Sequence, residues 1–151
     1  MKILLATDGS PCSDRAGEEV ARMPWPEDIQ VMVISAMEMP VVPAIEPYGV
    51  SPDYFVELEG ESRRRAQSFV DQALARLGTG ENKSIKVTGE VVQGSPKQAI
   101  LDYADEWGAD LIVLGSHGYG MLGRFLLGSV SSAVAIHAKC SVEIVRARQE
   151  K

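Results

Sequence analysis

The sequence predicts an α/β domain built on a mainly parallel sheet, and three observations carry that prediction. Residues 3–6, 29–37 and 111–114 are short, almost continuous apolar runs, the pattern of strands covered on both faces. Segments with apolar residues at helical spacing lie between them. The triplet Gly-Ser-Pro occurs at residues 9–11 and again at 94–96, each time after an apolar run and before a helical segment. Serine there suits an N-cap and proline the first helical position.

The elements follow in order. Residues 2–7 form a strand that ends at the Asp8-Gly9 turn, and Ala16, Val20, Ala21 and Met23 mark a helix stopped by Pro24 and Pro26. Residues 29–37 are the second strand. Residues 38–53 hold Pro40, Pro43, Pro47, Gly49 and Pro52, and read as a long surface loop. Phe55, Leu58, Ala66, Phe69, Val70, Ala73, Leu74 and Leu77 then keep the i, i+3, i+4 rule up to Gly78 and Gly80. The run Arg63 to Arg65 on that helix reads as a solvated face. Ile85, Val87, Val91 and Val92 make a third strand. Ala99, Ile100, Tyr103 and Trp107 form the buried stripe of a third helix, which Gly108 ends. Residues 111–114 are the fourth strand, 115–128 a loop, 129–138 a helix and 142–145 the last strand. The βαβαβαβαβ order favours parallel strands, right-handed crossovers and helices on both faces.

With 151 residues, of which 45% are hydrophobic and 24% charged, the chain fits one globular domain spanning 1–151. A net charge of −6 argues against sequence-independent binding of nucleic acid or anionic lipid, which needs clustered Lys and Arg. Cys12 and Cys140 are isolated thiols, and no His, Cys, Asp or Glu pair has metal-ligand spacing. The amino-terminal apolar run is too short for a signal peptide, and no stretch approaches the ~20 residues of a membrane span. A cytoplasmic protein is expected.

The segment from Gly115 to Ser129 carries the functional information. Gly115-Ser116-His117-Gly118 follows a buried strand, and Gly128-Ser129 opens a helix nine residues later. In open α/β sheets ligands collect beyond the strand ends, and a helix N-terminus offers unpaired N–H groups to an anion. Glycine allows positive φ and a close backbone approach to phosphate oxygens. Ser129 reads as the N-cap and as a hydroxyl donor to phosphate.

These residues resemble the universal stress protein family, whose nucleotide-binding members carry Gly-x-x-Gly, nine residues, then Gly and Ser or Thr. Gly115, Gly118, Gly128 and Ser129 match without a gap. The likeness spans the chain: residues 3–10, ILLATDGS, resemble the family's first strand and turn, and residues 140–146, CSVEIVR, its last strand. Ser141 stands where proline is usual and Glu143 where an apolar residue is usual. The resemblance implies a Rossmann-like five-stranded parallel sheet of order 3-2-1-4-5 that binds ATP, or ADP or AMP, with any Mg²⁺ arriving on the nucleotide. It implies Thr7 and Asp8 against the adenosine and Ala36 lining the adenine slot. Backbone contacts to ribose and phosphates would come from Gly115, Gly118, Gly128, Ser129 and Val130, helped by the Ser129 and Ser131 hydroxyls. A homodimer through the last strand and a regulatory, stress-response role with an unidentified protein partner also follow from it.

Two other nucleotide motifs fail on context. Residues 118–123 spell GxGxxG after a strand, but the dinucleotide fingerprint wants an immediate helix and an acid about twenty residues on. Gly128 would interrupt that helix, and Glu143 lies inside a strand. No Gly-Lys-Ser or Gly-Lys-Thr follows a glycine at Walker spacing. Asp8 also has a simpler reading, as a turn residue before an N-cap. His117 lacks an orienting carboxylate, His137 reads as a packed or surface histidine, and Tyr119 and Met121 read as loop anchors. Phosphoryl transfer needs charge stabilisation and a positioned water or base. Only Arg124, His117 and Asp8 stand near the loop for that work, so no catalytic residue is assigned. Binding is favoured over the alternatives of slow ATP hydrolysis and a ligand-free structural module.

Overall fold

The computed structural model describes residues 1–39, 51–78, 85–118 and 127–146. Its elements alternate as β1 (Lys2–Ala6), α1 (Pro11–Arg22), β2 (Gln30–Met37), α2 (Pro52–Gly78), β3 (Lys86–Gln93), α3 (Pro96–Trp107), β4 (Leu111–Gly115), α4 (Ser129–His137) and β5 (Ser141–Val145). The five strands form one parallel sheet of order β3-β2-β1-β4-β5. In register, Ile3 lies between Val31 and Leu111, and Ala6 between Ile34 and Leu114.

Alternation along the central strands divides the core. Ile3, Leu5, Val31, Val33 and Val113 pack against Ala16 and Val20 of α1 and Val70, Ala73 and Leu77 of α2. Leu4, Ala6, Ile34, Ile112 and Leu114 pack on the other face against Ile100 and Ala104 of α3 and Val134 of α4. The strands are apolar on both sides because both faces carry helices.

Several local expectations need correction. The predicted loop over 38–53 ends sooner, because Pro52 is the first residue of α2, where a missing N–H costs nothing. Residues 40–50 of it, and Gly80, lie outside the described residues. The apolar stripe of α2 is fully buried only at Ala66, Val70, Ala73 and Leu77, while Phe55 is exposed. On α3 the fully buried pair is Ile100 and Ala104. Tyr103 and Trp107 sit at the rim, where the Tyr103 hydroxyl donates to Glu90 (2.9 Å) and the Lys2 ammonium lies 5.3 Å from the Trp107 ring centroid. Ser10 caps α1 as predicted, accepting from the Ser13 N–H. Ser129, predicted as an N-cap, is instead the first helical residue of α4, and Gly128 is the cap.

Strand β5 lies at the sheet edge, and Glu143 is half-buried there. Burial, reinforced by the charge of Glu19, pushes the Glu143 carboxyl above its ordinary value. The folded state therefore favours the protonated form. That contribution is complete below the ordinary glutamate value of about 4.3, and is lost as pH rises through the shifted one. Glu143→Gln is expected to melt above the parent at neutral pH and to lose this advantage in acid. Paired melting curves from pH 3 to pH 8 check this, and a gap independent of pH would contradict it.

Candidate functional site

Strand β1 delivers Thr7 and Asp8 to the carboxyl edge of the sheet. Thr7 is buried, its N–H donates to the Ile34 carbonyl (2.9 Å), and its hydroxyl donates to the Ser13 hydroxyl (3.3 Å). Asp8 is exposed, and its Oδ1 accepts from the Ser10 N–H (3.0 Å), so the turn role read from sequence is real. Its second oxygen, Oδ2, faces Gly118: a Cβ built on Gly118 would lie 2.6 Å from it. Ala36 stands at the end of β2, two strands from Gly115 at the end of β4.

The start of α4 closes the site. The first intrahelical bond runs from the Ser132 N–H to the Gly128 carbonyl (2.9 Å), so the N–H groups of Ser129, Val130 and Ser131 have no acceptor within the helix. The Gly128 N–H is already committed to the Ser116 carbonyl (2.8 Å). The Ser131 hydroxyl is buried and donates to that same carbonyl (2.8 Å), so Ser131 clamps the two ends of the glycine segment and its proton is not free for a ligand.

Positive φ is not what demands glycine here. Among the described residues it occurs at Asp28 and at Gly9, Gly94 and Gly108, whereas Gly128 has φ −64°. Close approach does. A Cβ on Gly115 would lie 2.7 Å from both the Cys12 carbonyl carbon and the Ser13 nitrogen, where the first turn of α1 crosses β4.

Thr7, Asp8, Ala36, Gly115, Gly118, Gly128, Ser129, Val130 and Ser131 all line one cavity of about 270 Å³. It opens at the carboxyl ends of β1, β2 and β4, where the strand order reverses between β1 and β4. Sequence reasoning missed its apolar walls: Phe69 of α2, which reads as core, and Pro96 and Ile100 of α3. The signal for Phe69 was hidden because core and cavity positions on one helix share the same spacing. His117 also lines the cavity, and its Nδ1 is 3.0 Å from the Ser116 hydroxyl rather than beside a carboxylate. Its Nε2 is buried without a hydrogen-bond partner among the described residues. His137 is exposed on α4. Arg124, Tyr119, Met121 and residues 119–123 of the GxGxxG run lie outside the described residues.

Comparison with known proteins agrees with this architecture. Over 147 residues the chain is 36% identical to universal stress protein A homolog 2 of Coxiella burnetii, covering 96% of this chain and 94% of that one. The solved universal stress protein UspA from Lactobacillus plantarum superposes with a TM-score of 0.77 at 27% identity, covering 97% of each chain. A universal stress protein solved in complex with cAMP superposes with a TM-score of 0.67 at 25% identity, covering 98% of each. The family model described as universal stress protein family matches residues 1–146, and this chain belongs to that family.

Proposed function

We propose that the chain binds an adenine nucleotide, ATP or its di- or monophosphate, and acts as a regulatory module of the stress response in the cytoplasm. The observation that supports this most is that one cavity gathers Thr7, Asp8 and Ala36 with the Gly-x-x-Gly and Gly-Ser residues and the free N-terminus of α4. Its volume lies near the lower end for small-molecule sites, ~300–1,000 Å³, which suits a nucleoside with its phosphates along the open mouth. The Ser129, Val130 and Ser131 N–H groups and the dipole of α4 would hold the phosphates. Gly118 would let them pass close to the backbone, and Asp8 would take a ribose hydroxyl or an adenine edge. The cAMP complex of the relative at 25% identity supports a nucleotide as the ligand of this fold.

The Gly-x2-Gly-x9-Gly-Ser pattern supports membership of the nucleotide-binding subgroup, and Mg²⁺ would be carried in by the nucleotide. A homodimer would form through β5, the strand at one edge of the sheet, and nucleotide occupancy would alter the surface offered to a protein partner. Turnover is expected to be slow, since the ring of His117 is oriented by a hydroxyl and not by a carboxylate.

Thermal melting with ligand tests the binding claim. ATP with Mg²⁺ at a hundred times its dissociation constant adds about 2.7 kcal/mol, and a domain of this length gains roughly 2–4 °C for each kcal/mol. A rise of roughly 5–10 °C with ATP, and none with NADH, is the expected result. An unchanged curve in saturating ATP would remove the binding claim, and a larger rise with NADH would restore the dinucleotide reading.

A further inference from the structure

Phe69 lies on the same helix as the core residues Ala66, Val70 and Ala73, yet those three are fully buried and Phe69 is not. Part of its ring lines the cavity, beside Thr7 and Asp8. Two contacts hold the ring in place. It lies directly over the turn after β1, so that a Cβ on Gly9 would be 2.3 Å from both Cδ1 and Cε1. Gly9 also has φ 72°, so the chain passes under the ring in a conformation that suits glycine. The Arg65 guanidinium covers the ring at 5.7 Å from its centroid.

The helix carrying Phe69 is itself fastened to α1 by the paired Arg76 and Asp14 side chains, with Nη2 to Oδ2 at 3.0 Å. Pro96 and Ile100, from α3 on the other face of the sheet, supply aliphatic wall to the same cavity, and Ala36 adds only a methyl group. Among the described residues Phe69 is the one phenyl ring in the cavity lining, facing the aliphatic side formed by Pro96, Ile100 and Ala36, and it is held before any ligand arrives. Such a slot suits a flat π-system, because aromatic side chains gain from ring partners beyond simple area burial.

We infer that Phe69 is a specificity-determining residue of this site: it packs against the ligand's base and makes affinity depend on a base being present. The inference rests on the nucleotide reading above. Aromatic rings meet edge to face as well as stacked. With the Gly9 turn and Arg65 against the ring, the base meets the part left open to the cavity, a contact tolerant of base identity since every base has a π-face. Phe69 therefore sets the demand for a base, while Asp8 and the main chain are left to recognise which base it is.

Calorimetric titration of the full chain with ATP and with inorganic tripolyphosphate, both with Mg²⁺, tests this. The parent is expected to bind ATP more tightly than tripolyphosphate. Phe69→Ala is expected to weaken ATP roughly tenfold and leave tripolyphosphate unchanged. Phe69→Leu, which keeps apolar volume without a ring, should follow Phe69→Ala, and Phe69→Tyr should keep the parent's ratio. Circular dichroism melts identify any variant that fails to fold, and Phe69→Leu preserves the test if Phe69→Ala does. If the variants keep the parent's ratio of affinities, or lose both ligands equally, Phe69 is a packing residue and the inference is overturned. A parent that binds neither ligand overturns the nucleotide reading itself, an outcome distinct from a parent that binds ATP while the Phe69 variants match it.

Discussion

Gly118→Val is expected to abolish measurable ATP binding, a loss of about a hundredfold or more, while the ligand-free protein melts within roughly 2 °C of the parent. The asymmetry comes from what the new side chain meets. The Cβ falls 2.6 Å from Asp8 Oδ2 and 3.8 Å from its Cγ, with no other heavy atom of the described residues within 4 Å. Asp8 is exposed and can swing away, so the fold yields at little cost. In doing so it leaves the place from which it would meet the adenosine, and the valine fills the path beside Gly118 that the phosphates would use. One substitution removes two proposed contacts. Ser129→Ala is the control: Ser129 is not the N-cap, and its N–H remains, so affinity should fall only several-fold, the value of about one hydrogen bond. Titration calorimetry of both variants, with melts in the absence of ligand, gives the ranking. Tight ATP binding by Gly118→Val would show that the phosphates lie elsewhere.

Gly115→Ala is expected to do the reverse, lowering stability by about 1–3 kcal/mol as overpacking does, or roughly 2–12 °C in melting temperature. Its Cβ would meet main-chain atoms, the Cys12 carbonyl carbon and the Ser13 nitrogen at 2.7 Å, with the Cys12 Cβ at 2.8 Å. None of these atoms can turn aside as a side-chain tip can. The first turn of α1 is held by the Ser10 cap on the Ser13 N–H (3.3 Å) and by the bond from the Ser13 hydroxyl to the Ser10 carbonyl (2.9 Å). The Ser10 hydroxyl also donates to the His117 carbonyl (3.2 Å), tying that turn to the residues after β4. Relief must therefore come from separating α1 from β4, which opens the packing of Val20 and Ala16 on Val113. A Gly115→Ala protein that melts with the parent would mean that this helix and strand are not in such close contact.

The fold was legible in the sequence because its signals are local. The apolar runs at 3–6 and 111–114 lack a polar face, which tells of a strand covered on both sides, and Ser10 before Pro11 is a helix start whatever surrounds it. The glycine pattern picked out Gly115, Gly118, Gly128 and Ser129, and the resemblance to the universal stress protein family added Thr7, Asp8, Ala36, Val130 and Ser131; the fold gathers all of them around one cavity. The strand order that the resemblance implies, with its reversal between the first and fourth strands, is what predicts that they meet.

What only the tertiary structure decided are contacts between segments with no mutual register in the sequence. Spacing along α2 cannot tell Phe69 from Val70, since both fall within the apolar stripe. Only the crossing of α2 over the Gly9 turn buries one in the core and turns the other toward the cavity. In the same way, a glycine at 115 or 118 reads as conformational freedom, but what a side chain there would meet is brought in by folding: the α1 backbone for one and the Asp8 carboxylate for the other. Which residue caps α4, and whether the Ser131 hydroxyl is free or spent on the Ser116 carbonyl, likewise depend on where β4 delivers the chain. Periodicity records which face of an element is apolar; what that face touches is set by the packing of whole elements.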